Sequence, residues 1–261
     1  MKRYLNLYLA TIRHSIIKNM AYPQDFLLWS AVDLLWSIIN ILFFRILLLN
    51  LPNISGWTFN QIIIPLGFVH LIGAFVWGVM YSNMKELARD VNKGNLDLYL
   101  SKPANSQFLL STRYLDFNLL PSVVVGSFLL WYGFSINNIS SPSSLLIVLI
   151  ALISGVGIAY SLYFMSVTTS LWANRLQNIQ DLFPNTLDFA KYPSEISPVV
   201  TRFIFNTILP FALIGYLPAN ILLGKASSWL LLSFLATALI FVYISHLFWN
   251  FALRHYSSAS S

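Results

Sequence analysis

Phe26 to Leu49 reads FLLWSAVDLLWSIINILFFRILLL, a run whose only charged residues are Asp33 and Arg45. At about 1.5 Å of rise per residue, a helix of this length crosses about 30 Å of hydrocarbon. The run is continuously apolar rather than alternating with period two, so it reads as a helix that satisfies its own backbone hydrogen bonds, not as a barrel strand. Five further runs follow, at about Ile62 to Tyr81, Leu115 to Phe134, Leu145 to Thr169, Arg202 to Leu217 and Trp229 to Leu253. The fifth is short and carries Pro210; the last ends in Arg254 and His255. The expected fold is therefore all-α, a polytopic membrane protein with six transmembrane helices.

Composition agrees with the runs. Hydrophobic residues make up 57% of the 261 and charged residues 9%, against roughly 25% charge in a soluble domain; mean hydropathy is +0.69. The chain has no cysteine, which excludes a disulfide framework, a thiolate metal site and a thiol nucleophile. Its net charge of +6 invites a nucleic-acid reading, but the placement of the charges argues against one. With both termini inside, Lys2, Arg3, Arg13, Lys18, Lys85, Arg89, Lys93, Lys102, Arg113, Arg175, Lys191, Arg202 and Arg254 all fall on the cytoplasmic side, leaving Arg45 and Lys225 outside. Such a split is the positive-inside pattern of an inner (plasma) membrane protein of bacterial type, with no nucleic-acid partner.

Residues 1–22 precede the first span. Leu5, Tyr8, Leu9, Ile12 and Ile16 recur at helical spacing, with Lys2, Asn6, Arg13 and Lys18 on the other side, as in an amphipathic helix lying at the interface against anionic lipid. The same pattern suits a helix packed on a partner. The first long run is too extended for a cleavable signal, so it reads as an uncleaved anchor, and residues 23–261 form the six-helix transmembrane domain.

Polar residues within spans are costly and invite a functional question. Asp33 suits a cavity, an ion path or a structural pair. His70 lies deep; Arg45 is near an outer end and can snorkel; Asp116 stands i+3 from Arg113, a spacing that favours a local ion pair. His246 is the remaining candidate. No chain of carboxylates runs through the spans, and neither a phosphate-binding G-x-x-x-x-G-K-[ST] loop, an H-E-x-x-H nor a G-x-S-x-G is present. No catalytic residue, metal site or cofactor bound by this chain is expected.

The segment between the second and third spans, residues 82–113, holds GNLDLYLSKP, Gly94 to Pro103. Met84 to Val91 reads as a short helix carrying Glu86, Arg89 and Asp90. Gly94 supplies a left-handed terminator, Leu96, Leu98 and Leu100 restart an apolar face, and Lys102-Pro103 stops it. A compact amphipathic element at the ends of two spans suits a lever driven by a soluble motor; it equally suits a solvated junction loop.

Arg89 to Asp97, followed by Leu100 and Lys102-Pro103, resembles the cytoplasmic motif of ABC-2 type permeases of ATP-binding cassette exporters. The stretch from Tyr192 to Lys225, with Tyr192-Pro193, Leu209-Pro210-Phe211, Tyr216-Leu217-Pro218-Ala219 and Leu223-Gly224, is similar to a six-span branch of that family long carried as a domain of unknown function. The resemblance implies a permease subunit that forms the path with a second permease, the same or a related chain. Separate ABC ATPase subunits would bind ATP and Mg and drive it. On that resemblance Glu86, Arg89, Asp90, Gly94, Leu96, Asp97, Leu100, Lys102 and Pro103 form the coupling helix region; spans two and five face the partner permease; Pro65, His70, Pro210, Tyr216 and Pro218 belong to the path or gate; and 218–228 is an outer re-entrant element. Residues 170–201 are expected as a second cytoplasmic loop. A proton- or ion-coupled secondary transporter working through Asp33 and His70, or a non-transporting membrane scaffold, remain the other readings of the residues.

Overall fold

The computed structural model describes residues 2–20, 23–50, 56–172, 179–192 and 198–256. Arg175, the Pro193 to Ser197 part of the second motif and the C-terminal residues after Tyr256 lie outside them, as do the side chains of Lys2, Leu5, Asn6 and Lys18. Among the described residues there is helix and no strand. In chain order the helices are α1 (Lys2–Met20), α2 (Pro23–Asn50), α3 (Phe59–Phe75), α4 (Ser82–Lys93), α5 (Asp97–Leu100), α6 (Ser106–Ser111), α7 (Leu119–Ile136), α8 (Ser143–Thr168), α9 (Ile179–Thr186), α10 (Val199–Phe203), α11 (Tyr216–Leu222) and α12 (Leu230–Arg254).

Among the described residues, five stretches are long and apolar enough to cross a membrane: Pro23–Asn50, Phe59–Lys93, Leu119–Ile136, Ser143–Leu171 and Leu230–Arg254. The second is a composite. A π-helical turn, Val76–Tyr81, joins α3 to α4 without a break, so the expected loop helix is the direct extension of a span. α3 is also the central helix, with 72% of its apolar window buried against 17% for α2 and α12. It was expected to face a partner permease; instead its own chain encloses it, because α2, α7, α8 and the segment 187–191 all pack on it.

Close backbone approach explains the tight α3–α7 pair. A Cβ on Gly126 would lie 3.0 Å from the Leu71 nitrogen and 3.1 Å from the Gly67 carbonyl oxygen, and one on Gly67 would lie 2.8 Å from Leu130 Cγ. Lipid tails are as apolar as leucine, so van der Waals contact of this kind, and not exclusion from water, holds such helices together. Correspondingly, Leu35, Leu49, Trp131, Leu145 and Leu239 are exposed, the inverse of a soluble protein.

Two segments depart from the sequence expectation. The expected fifth span, 202–217, is not one helix: α10 passes into a π-helical turn, Ile204–Ile208, the chain breaks at Leu209-Pro210, and Phe211–Leu213 and α11 resume it. Pro210 has no N–H and its ring blocks the preceding turn. Residues 170–201, expected as a loop, are in part an inner layer. α9 packs on α8, α4 and the π turn, and residues 187–191 pack on α3. The Tyr81 hydroxyl donates to Asp181 at 2.9 Å, Leu187 meets Gly73, and Tyr192 meets the Phe44 ring at 5.3 Å between centroids, so the segment climbs along α3. Lys191 is buried, with Nζ 2.6 Å from Asp188 and donating to Asn40 Oδ1 at 2.8 Å. Phe183, Leu187 and Ala190 supply the apolar contacts that draw this stretch inward.

Gly126→Leu is expected to lower thermal stability in nanodiscs by about 2 kcal/mol or to abolish monodisperse expression, since the added side chain meets backbone on α3. Gly157→Ala, whose Cβ would meet Ala238 at an ordinary 3.4 Å, is expected to leave the melting midpoint unchanged.

Candidate functional site

The site lies where α4, α5, α6 and the irregular return at 112–118 converge. α4 ends as the sequence requires: Gly94 has φ 71°, the Gly94 N–H reaches the Val91 carbonyl, and the Asn95 N–H donates to the Asp90 carbonyl at 2.9 Å. This paired closure satisfies two of the last carbonyls and turns the chain sharply. Leu96 is then fully buried beside Met84, Leu87, Val91 and Leu110, which fixes α5 against α4.

Two interactions tie the returning chain to α4. Buried Asn83 uses its whole amide: Oδ1 accepts from the Arg113 N–H at 2.9 Å and the Tyr114 N–H at 3.0 Å, while Nδ2 donates to the Tyr114 carbonyl at 2.9 Å and to the Val79 carbonyl. Asp90 and Arg113 form an ion pair at 2.6 Å, with side chains only 11% and 9% exposed, and the Arg113 guanidinium lies 4.4 Å above the Tyr99 ring centre. Lys102 approaches the same ring at 4.7 Å. The expected Arg113–Asp116 pair does not form. Asp116 instead caps its own turn, accepting from the Asn118 N–H at 3.0 Å, and its N–H donates to the Gly78 carbonyl at 2.7 Å. Burial, with Glu86 as the next contributor, raises the Tyr114 phenol above its ordinary pKa, so it remains neutral.

The far side of the site is bolted to the last helix. Asn105 caps α6, accepting from the Phe108 N–H at 3.0 Å. Gln107 donates to Ser245 at 3.3 Å and lies 3.0 Å from His246 Nδ1; Trp249 donates to Ser106 at 3.0 Å. Since Gln107 Oε1 can only accept and Asn250 Nδ2, 3.0 Å from His246 Nε2, can only donate, His246 carries its proton on Nδ1. Ser111 meets Tyr160 of α8 at 3.1 Å. This end is thus tied to α3, through α4, and to α12 and α8, through α6.

The residues singled out from sequence divide accordingly. Asp90, Gly94 and Leu96 shape the element, and Leu100 is half-buried against the core. Arg89, Asp97, Lys102 and Pro103 are exposed, joined by Leu98 at 65% exposure; Glu86 bonds Arg89 at 3.3 Å on the helix surface. Leu98 therefore points out, not into the apolar face expected of it, because α5 is a single turn with Leu96 as its anchor. Pro65, Pro210, Tyr216 and Pro218 are buried within the fold, Tyr216 against Trp57 at 5.3 Å. His70 Nε2 is buried without a hydrogen-bond partner among the described residues, and Asp33 accepts from the Ser122 hydroxyl at 2.9 and 2.8 Å. Among the described residues no group of His, Asp and Glu has the arrangement of a metal site. Asn83, Gln107 and Trp249 escaped the sequence reading, since a lone amide or indole has no periodic signature.

Asp90→Asn is expected to cost about 3 kcal/mol, because it leaves the Arg113 charge buried without its counter-ion, and to speed amide hydrogen exchange over 113–118. Arg89→Ala, on the exposed side of α4, is expected to change stability by less than about 0.5 kcal/mol in the same thermal-unfolding measurement.

No curated protein and no solved structure matches the chain. A family profile does: that described as ABC-2 family transporter protein matches residues 34–260, from within α2 past the end of α12 and so including every element of the site. The apolar helices and this match make it an integral membrane permease, and the chain belongs to the ABC-2 family of transporter proteins.

Proposed function

We propose that this chain is the passive gate of an ATP-driven exporter, working with a second permease of the same or related sequence and with separate ABC ATPase subunits that bind ATP and Mg. The observation that carries the reading is the rigid end formed by α4, α5 and α6, whose exposed face offers Arg89, Asp97, Leu98, Lys102 and Pro103 while it runs on from α3 through the π turn and hydrogen bonds join it to α8 and α12. Mixed charges around one exposed leucine suit recognition of a soluble partner, the charges selecting it and the leucine filling a pocket. Linking the docking face to both a central and a peripheral helix lets a small displacement re-aim them together.

In this reading both termini and the 82–118 end are cytoplasmic, as the distribution of lysine and arginine favours. The stretch 179–192 and the broken segment through α10 and α11 together take the place of a continuous fifth span, giving the even number of crossings that this topology needs. α1 lies at the cytoplasmic interface: exposed Leu9, Ile16 and Ile17 meet lipid while Ser15 accepts from the Leu115 N–H at 3.0 Å. The second permease meets the open apolar faces of α2 and of Val199, Val200, Phe203 and Ile208.

Asp97→Lys is expected to abolish cargo-stimulated ATP hydrolysis in the assembled complex with the permease still inserted and folded; unchanged coupling would place docking elsewhere. The absence of cysteine makes topology direct to read. Ser140→Cys is expected to react with a membrane-impermeant maleimide from outside intact cells and Ser101→Cys only after lysis, and the reverse order would invert the assignment.

A further inference from the structure

Beside the docking end a continuous groove runs up the side of α2. Its mouth, about 380 Å³, lies between α1, α2, α4 and the 114–118 return; its upper part, about 500 Å³, lies between α2, the π turn and the start of α7. Trp29, Ser82, Asp116 and Asn118 line both parts, so the two form one passage from the polar end into the apolar layer. Either part is within the range of sites that hold a small organic molecule.

The chemistry of its walls is lopsided. Asp25, Glu86 and Asp116 stand at the mouth and Asp33 above them, which is four of the nine acidic residues in the chain, against Lys85 as the only basic lining residue among the described side chains. Glu86 is engaged by Arg89 on the helix surface, but Asp33, within a span, has a hydroxyl partner and no ion pair among the described residues. A carboxylate at that position is costly unless a cation completes it. Around it three indoles, Trp29, Trp36 and Trp77, are 56%, 58% and 47% exposed. Trp29, Asp33 and Trp36 follow one another at helical spacing, which puts both rings on the same face of α2 as the carboxylate. Exposed indole faces around an acid are what recognises an organic cation: the ring quadrupoles and the carboxylate attract the charge, and the rings cover an apolar body.

We propose that this groove binds a lipophilic organic cation, its charge at Asp33 between the indoles of Trp29, Trp36 and Trp77, reached from the cytoplasmic leaflet past Asp116. Charge complementarity selects this occupant over a phospholipid, whose phosphate meets carboxylates here. It deepens the exporter reading, on which the step from binding to cargo rests; the binding itself does not depend on an ATPase. The exposed side of α2 also borders the face assigned to the second permease, so cargo held here would stand beside the seam between the two subunits.

The test uses an isosteric pair of opposite charge, tetraphenylphosphonium and tetraphenylborate, with the full chain in nanodiscs, no nucleotide, and empty nanodiscs subtracted. Saturable phosphonium binding with no borate binding above the empty discs is expected. Asp33→Asn, which keeps the bond to Ser122, and Trp36→Leu are each expected to weaken phosphonium binding by about tenfold or more, whereas Asp97→Lys leaves it unchanged. Trp36→Cys, in a chain otherwise free of cysteine, is expected to be protected from N-ethylmaleimide by the phosphonium. Equal binding of both ions, no saturable phosphonium binding, full affinity in Asp33→Asn, or disulfide cross-linking of Trp36→Cys to a second copy without phosphonium protection overturns the proposal, the last making the groove a subunit contact. Intact phosphonium binding without ATP-dependent transport in the assembled complex overturns the exporter reading alone.

Discussion

A backbone amide in hydrocarbon has no water to turn to, and the irregular features of this chain are each arranged around that cost. Where α3 passes into α4 through a π turn, the Gly78 carbonyl is met by the Asp116 N–H at 2.7 Å. Where the chain re-enters toward α7, Asn83 closes the peptide groups of Arg113 and Tyr114. At Leu209-Pro210, the Leu209 N–H turns back to the Ile204 carbonyl at 2.8 Å and the Leu213 N–H reaches the Pro210 carbonyl at 3.1 Å. Each of these three irregularities is accompanied by a specific donor or acceptor, so they are parts of the architecture and not defects in it.

The same economy governs charge. Asp90 and Arg113 are hidden together under Tyr99, and buried Lys191 is held by Asn40 and by Asp188, whose own carboxylate is exposed. Buried charges held in this way add little net stability over an apolar substitute, but they penalise any arrangement that separates them from their partners. They therefore specify register: α4 against the 112–118 return in one case, the 187–191 segment against α2 in the other. Asp33 stands outside this pattern, since its partner is a hydroxyl and it faces an open groove.

The rigidity of the 82–118 end follows from these ties. α4 has no joint separating it from the central helix, and α6 is held to α12 by three polar contacts from Ser106 and Gln107. The exposed side chains of this end are free to vary without disturbing the fold, while its buried ones tie it to the helices around it. The family match supplies the class of protein; the structure separates exposed Asp97 and Lys102 from Asn83, Asp90 and Arg113 within.

By itself the sequence determined whatever depends on neighbours along the chain. Apolar length gives the membrane helices, Gly94 gives the left-handed end of α4 that φ 71° realises, Pro210 marks a break, and the local run around Asp97 and Lys102 marks an exposed element. Tertiary structure decided the rest, because the deciding contacts join residues far apart: Asp90 with Arg113 is 23 positions distant, Asn83 with Tyr114 is 31, and Ser106 with Trp249 is 143. It likewise turned the expected 170–201 loop partly into an inner layer, split the expected 202–217 span, enclosed α3, and exchanged Asp116 for Asp90 as the partner of Arg113. Spacing along a helix reports which residues share a face; only packing reports which of two faces, or which of two carboxylates, a buried group meets.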